Sequence, residues 1–337
     1  MRRIAHISDL HFGRTDPRVV EGLLSELNGT RPDLVVISGD FTMRARHSEW
    51  EEARAFLARV LSPWVAVPGN HDITAYYRIE RFINPFRLYK RYISPDPEPI
   101  WKDDELAVVC LNTARNWSFD TDWSEGRISR GQIARAEKLF DAFPDHLFRI
   151  VVGHHPFLPP PWDPEGRIVG RADLALAAFE RHGVRLALAG HLHRCYSRFA
   201  KPAAPGKPES ERVDAAAEAT GQRLLVAQAG SATSTRLRGS DPNAYNFITV
   251  ENGHATVEVR LWTGTEWRPA STALPEAKEA AREREFIAAA RRRILIGSLI
   301  GSRQQKMGAQ AFCIVLPTSA TWGETPDSQG ASAVRLP

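Results

Sequence analysis

Five places in this 337-residue chain put aspartate, asparagine or histidine directly after a short apolar run. Ile4–Ile7 leads into Asp9 and His11, and Leu34–Ile37 leads through Gly39 into Asp40. Trp64–Val67 leads into Gly69, Asn70, His71 and Asp72. Phe148–Val152 leads into Gly153, His154 and His155, and Val184–Ala189 leads into Gly190, His191 and His193. Short, mostly apolar runs of this kind read as strands buried on both faces. In open α/β sheets the ligand site lies beyond the carboxyl ends of the strands. Imidazoles, carboxylates and an amide discharged at one such end form a single polar cluster of metal-ligand type.

The elements that would position these residues alternate. A strand at 3–8, a helix over 19–27 ending near Asn28-Gly29, and a strand at 34–37 open the chain. Ser48 with Glu51 three residues later has the form of a capping box, starting a helix that runs to about Val60. A strand at 64–67 closes this series. Residues 73–93 are aromatic and basic and read as helical, packing over a sheet edge. A hairpin over 100–111, a helix capped by Ser129 and running to Phe143, a strand at 148–152, a helix at 172–182 and a strand at 184–189 follow. Five prolines in 156–170 exclude a regular element there. Strands at 224–228, 245–250 and 255–262 come last, the final pair joined by Asn252-Gly253. Strands alternating with helices predict an α/β fold with helices outside a parallel or mixed sheet.

Composition narrows the function classes. The net charge is +4, and residues 276–337 carry nine Lys/Arg against six Asp/Glu, so the body before them is close to neutral. That speaks against long nucleic acids, which need many phosphate contacts. Three cysteines, Cys110, Cys195 and Cys313, have no metal-type spacing and suggest a reducing compartment, read as the cytoplasm. Ile294–Ile300 is too short to span a bilayer. The divisions expected are a body over 1–270, a C-terminal helix over 275–293 and a flexible tail over 294–337. The Ala-rich face of that helix suits docking on the body or on a second copy, which leaves a homo-oligomer open. Its Arg291–Arg293 run reads as a solvated helix end.

Taken in order, Asp9-x-His11, Gly39-Asp40, Gly69-Asn70-His71-Asp72, Gly153-His154-His155-Pro156 and Gly190-His191-Leu192-His193 resemble the calcineurin-like metallophosphoesterase superfamily. Asn112, Gly126, Gln132 and His193-Arg194 are further similar to its bacterial class III cyclic-nucleotide phosphodiesterase branch. The resemblance covers about residues 3–260. It implies an α/β/β/α sandwich of two mixed sheets flanked by helices. It also implies two metal ions bridged by Asp40, one held with Asp9, His11 and His193, the other with Asn70, His154 and His191. His71 would then approach the phosphoryl oxygens or the leaving group, with a satisfied structural histidine as the lesser alternative. Asp72 either orients its neighbours or caps the helix that follows.

The donor set suits Zn, Fe or Mn better than Ca or Mg. Two divalent ions against the charges of Asp9, Asp40 and a hydroxide leave a small positive surplus, suited to a phosphate oxyanion. The expected activity is hydrolysis of small phosphodiesters by a metal-bound hydroxide, with cyclic nucleotides as the first natural candidates. A phosphomonoesterase or nuclease with the same core is the alternative, and a non-catalytic scaffold is a third. Trp117, Phe119, Trp123 and Trp162 either stack on a base or pack under their own loops.

Overall fold

The computed structural model describes residues 1–74, 81, 83–115, 125–200, 223–237 and 241–271. They fall within one compact unit, Met1–Ala280. Tyr76, Tyr77, Phe82, Trp117, Phe119 and Trp123, the 201–221 loop, the helix expected at 275–293 and the 294–337 tail lie outside the described residues.

Among the described residues twelve strands form two six-stranded sheets. In the first, β1 (Arg2–Ile7), β2 (Leu34–Ile37) and β3 (Trp64–Ala66) run parallel. On the other side of β1, β10 (Ala244–Glu251), β11 (His254–Trp262) and β12 (Trp267–Pro269) continue it antiparallel. In the second sheet β5 (Leu106–Cys110), β6 (Phe148–Val152), β7 (Val184–Ala189) and β9 (Leu225–Gln228) are parallel. Antiparallel edges are supplied by β4 (Ile100–Lys102) and β8 (Tyr196–Phe199).

Alternate side chains of the central strands explain the layering. Ile4, Leu34, Val36 and Val65 face Val108, Ile150, Val152 and Leu188 in one buried cluster between the sheets. The opposite faces are covered by helices. Ala5, Ile7, Val35 and Ile37 pack under α1 (Pro17–Thr30), α2 (His47–Leu57) and α3 (Arg87–Tyr92). Val109, Val151, Ala187 and Val226 pack under α4 (Arg130–Ala142) and α5 (Ala172–Arg181). This is the α/β/β/α sandwich of two mixed sheets.

Local rules held at Ser129, whose hydroxyl accepts the N–H of Gln132 at 3.0 Å while the Gln132 side chain accepts the N–H of Ser129 at 2.7 Å. They failed at two helix ends. The first helix does not stop at Gly29 but runs to Thr30, with Arg31 (φ 44°) as its left-handed cap. The second starts at His47 instead of after Ser48, because the buried Glu49 carboxylate accepts the N–H groups of Arg44 and Arg46. The strands β8 and β12 were not foreseen. Both are edges: β8 exposes Ser197 and Phe199, and β12 contains Pro269, tolerated where no ladder bond is needed.

A cavity of about 450 Å³ lies at the amino ends of the second sheet's parallel strands, between Asp104, His146, Gly183 and His254. The chemistry-bearing residues gather at the other end.

Candidate metal centre

Each of the five apolar runs is a parallel strand, so Asp9, His11, Asp40, Asn70, His154, His191 and His193 emerge at one end of the sandwich. The first four come from the first sheet and the three histidines from the second. The loops are tied to each other before any side chain is considered. Asp9 N–H donates to Gly39 O at 3.0 Å, His11 N–H to Asp40 O at 3.0 Å, and Gly190 N–H to His154 O at 2.8 Å. His191 N–H donates to Asp9 Oδ2 at 2.8 Å and so joins the two sheets.

Five of the seven residues hold a left-handed backbone: Asp9 (φ 53°), His11 (52°), Asp40 (56°), His191 (77°) and His193 (59°). For a residue with a side chain this conformation costs roughly 1–2 kcal/mol, and such strain concentrates at functional sites. Each such residue turns the chain at a strand end and points its side chain inward. Two glycines permit the close approach. A Cβ on Gly69 would lie 2.1 Å from Asp40 Oδ1, and one on Gly190 would lie 1.8 Å from Ser8 Oγ.

The donor atoms converge in two sets around Asp40. His11 Nε2 is 3.6 Å from Asp9 Oδ1 and 3.7 Å from Asp40 Oδ2, and His193 Nε2 is 3.4 Å from Asp9 Oδ1. On the other side His154 Nε2 is 3.4 Å from Asp40 Oδ2 and 3.1 Å from Asn70 Oδ1, which also lies 3.0 Å from His191 Nδ1. His11 Nε2 and His193 Nε2 stand 3.3 Å apart on stacked rings. Asp9 Oδ1 is buried and accepts no hydrogen bond from the described residues. A buried carboxylate oxygen left without a donor, facing imidazole nitrogens, is what a cation ligand requires. The outer nitrogens are fixed as metal-binding imidazoles commonly are: His11 Nδ1–H donates to Thr42 O and His154 Nδ1–H to Ser38 O. The residues present fit two ions sharing Asp40.

Protonation follows from this crowding. Burial alone would raise Asp9 and Asp40, yet facing histidines, chiefly His193 and His11 for Asp9 and His154 for Asp40, hold both carboxyls well below the usual range. Burial would lower His154, but Asp40 overrides it and lifts the imidazole to about 9. His191 is pushed down to about 4 by burial and then by His154. A folded value above the ordinary one for His154 means its proton favours the metal-free fold at low pH. That contribution fades as pH rises through about 9. A cation competes for the same nitrogen. Metal uptake at neutral pH is therefore expected to release a proton, and apparent affinity to climb as pH rises toward 9. Calorimetry in two buffers of different ionisation enthalpy reads the proton count; uptake without proton release would contradict it.

His71 stands beside the cluster. Its N–H donates to Asp40 Oδ1 at 2.9 Å, its Nδ1–H donates to Met43 O at 2.8 Å, and its ring meets the edge of His11 at 4.8 Å. The Asp72 carboxylate accepts the N–H groups of Phe41, Thr42 and Gly69 and the Thr42 hydroxyl, binding the 39–42 loop to the 69–72 loop. Burial and then Asp40 push its carboxyl up to about 7.

Some supporting residues escaped the sequence reading. Ser231 Oγ donates to Asp9 O at 2.8 Å and Thr233 Oγ1 to Leu10 O at 2.6 Å, so the loop after β9 holds the first ligand loop in place. Thr113 Oγ1 accepts the N–H groups of His154 and His155, both at 3.2 Å. The small polar run Ser231-Ala232-Thr233-Ser234, following a strand, was the available signal. Gln132 serves its helix cap, and Arg194 pairs with Asp241.

A family model of the calcineurin-like phosphoesterases matches residues 2–195. The glycerophosphodiester phosphodiesterase GpdQ of Enterobacter lignolyticus (strain SCF1) is 36% identical over 147 residues, 37% of this chain and 51% of that protein. The chain thus matches about half the length of that curated relative. Among solved structures, purple acid phosphatase PPD1 from yellow lupin (Lupinus luteus) superposes with a TM-score of 0.57 at 14% identity, over 80% of this chain and 52% of that one. A dimetal phosphatase from Danio rerio gives 0.51 at 12% identity, over 80% and 98%. These two likenesses establish the shared fold.

Proposed function

The chain belongs to the calcineurin-like phosphoesterase family, and from that premise we propose that it hydrolyses small phosphodiesters at a centre of two divalent transition-metal ions, Mn, Fe or Zn. The observation that carries the reading is the convergence of imidazole, carboxylate and amide donors on both sides of Asp40 Oδ2. In the proposal Asp9, His11, Asp40 and His193 hold one ion, and Asp40, Asn70, His154 and His191 the other. When bound, such ions polarise a phosphoryl oxygen and bring the pKa of a coordinated water from ~15.7 to about 7.

The remaining roles belong to the chain's own side chains. With Nδ1–H committed to Met43 O, His71 exchanges protons through Nε2, and it is the candidate acid for the departing alcohol. Asp72 is a positioning residue: by gathering the N–H groups of two loops it keeps Asp40 and His71 in register. A compact ester is favoured over a duplex on steric grounds, because Pro-rich 156–170 borders the cleft beside His191. In this reading the catalytic unit spans 1–270, and the scarcity of cysteine supports a cytoplasmic setting. Among the described residues no helix is long and apolar enough to cross a membrane.

The test is a hydrolysis panel with metal-reconstituted protein: aryl mono- and diesters, 3′,5′- and 2′,3′-cyclic nucleotides, glycerophosphodiesters and single-stranded DNA. Turnover of the aryl diester is expected to exceed that of the matching monoester. A preference for monoesters would replace the diesterase reading, and protein that takes up no metal and turns over nothing would make the fold a scaffold here.

A further inference from the structure

Beside His191 a cleft of about 180 Å³ is lined by Gly126, His155, Trp162, Ile168 and Leu192 among others. It runs from His155, only 2% exposed, to Trp162, 46% exposed. At roughly 30 Å³ per water in the liquid, the volume matches a single ring and is too small for a duplex.

The exposed end is an aromatic plane held from behind. The Arg194 guanidinium lies 4.2 Å from the Trp162 ring centroid, and Tyr196 meets the ring edge-on at 5.5 Å. Arg194 is anchored by Asp241, and the Tyr196 hydroxyl donates to Leu158 O at 2.5 Å. A ring fixed in this way loses little freedom on binding a ligand.

The buried end is a fixed wall. Thr113 Oγ1 accepts two backbone N–H groups, and its own hydrogen goes to His155 Nδ1 at 2.8 Å. The His155 proton therefore resides on Nε2. The ring is clamped as well, since a Cβ on Gly126 would fall 2.2 Å from its Cγ. His155 and His191 ring centroids are 4.8 Å apart, so this end of the cleft touches the proposed second ion position.

We propose that this cleft is the subsite for one alcohol arm of the diester, and that the arm is a flat aryl or heterocyclic ring stacked on Trp162. The inference rests on the diesterase reading above, and the test separates the two. Phenylphosphonate and methylphosphonate share a head group, resist hydrolysis and differ only in the ring. Metal-reconstituted protein is titrated with each by calorimetry. Wild type is expected to bind the phenyl compound about five- to hundredfold more tightly, the range of a base–aromatic stack. Trp162→Ala should bring the ratio close to one, and Trp162→Phe should restore most of it. In turnover, Trp162→Ala should raise KM for bis(4-nitrophenyl) phosphate far more than for glycerophosphocholine, with kcat changed much less than KM. No phenyl preference in wild type, or one that survives Trp162→Ala, overturns the subsite. If no diester is turned over but the Trp162-dependent preference is present, the reaction assignment fails and the ring subsite stands.

Discussion

Asp40→Ala protein is expected to retain neither ion and to lose essentially all hydrolysis. Asp40 Oδ2 faces His11 on one side and His154 on the other, so its loss opens both donor sets. Residues that merely orient a ligand cost about 10–100-fold in metal affinity when replaced; a shared ligand should exceed that for both ions at once. The backbone complicates the reading, because Asp40 is left-handed and Ala pays roughly 1–2 kcal/mol there. Asp40→Asn is the companion variant, since Asn tolerates that conformation while removing the charge. Elemental analysis of both, beside their thermal unfolding, separates loss of ligand from loss of fold. Two ions retained in either folded variant would sink the bridging assignment.

His71→Ala is expected to behave in the opposite way. It should keep both ions, because its ring nitrogen Nδ1 is spent on Met43 O and its bond to Asp40 comes from the backbone N–H, which alanine retains. Turnover should fall about 10²–10⁴-fold, the usual contribution of a positioned acid or base. The loss should shrink for diesters with good leaving groups such as 4-nitrophenol, which need little protonation as they depart. Loss of metal in this variant, or an equal fall for all leaving groups, would deny His71 that role.

Both expectations draw on residues visible as local patterns. A run such as Leu34–Ile37 ending in Ser38-Gly39-Asp40 states its own geometry: apolar on both faces, a turn, then a ligand. The pattern does not show that five of the seven candidate ligands sit at positive φ. Asp9, His11, Asp40, His191 and His193 adopt it through contacts such as Ser231 to Asp9 O, which span more than 200 residues. The edges were illegible for a different reason. Tyr196–Phe199 sets two polar residues between two aromatics without the alternation of a half-buried strand, and pairing with Leu225–Gln228 makes it one. At Glu49 a buried carboxylate outranked the Ser48 cap, a contest between two local rules that tertiary burial decides.

The distribution of donors between the sheets has a mechanical consequence. Asp9, His11, Asp40 and Asn70 stand on one sheet and His154, His191 and His193 on the other, with the interleaved side chains of the sandwich as the main layer beneath. Ions held there would rivet the two halves at their rim, much as a crosslink between distant chain positions does. A ligand at a hundred times its dissociation constant adds about 2.7 kcal/mol to the folded state. Chelation should therefore do more than silence the chemistry. It should let the sheets part at that end, with faster amide exchange in the strand ends near Ile7, Ile37, Val152 and Ala189 than at the far end of the same strands, and with earlier proteolytic nicking of the loops that follow them.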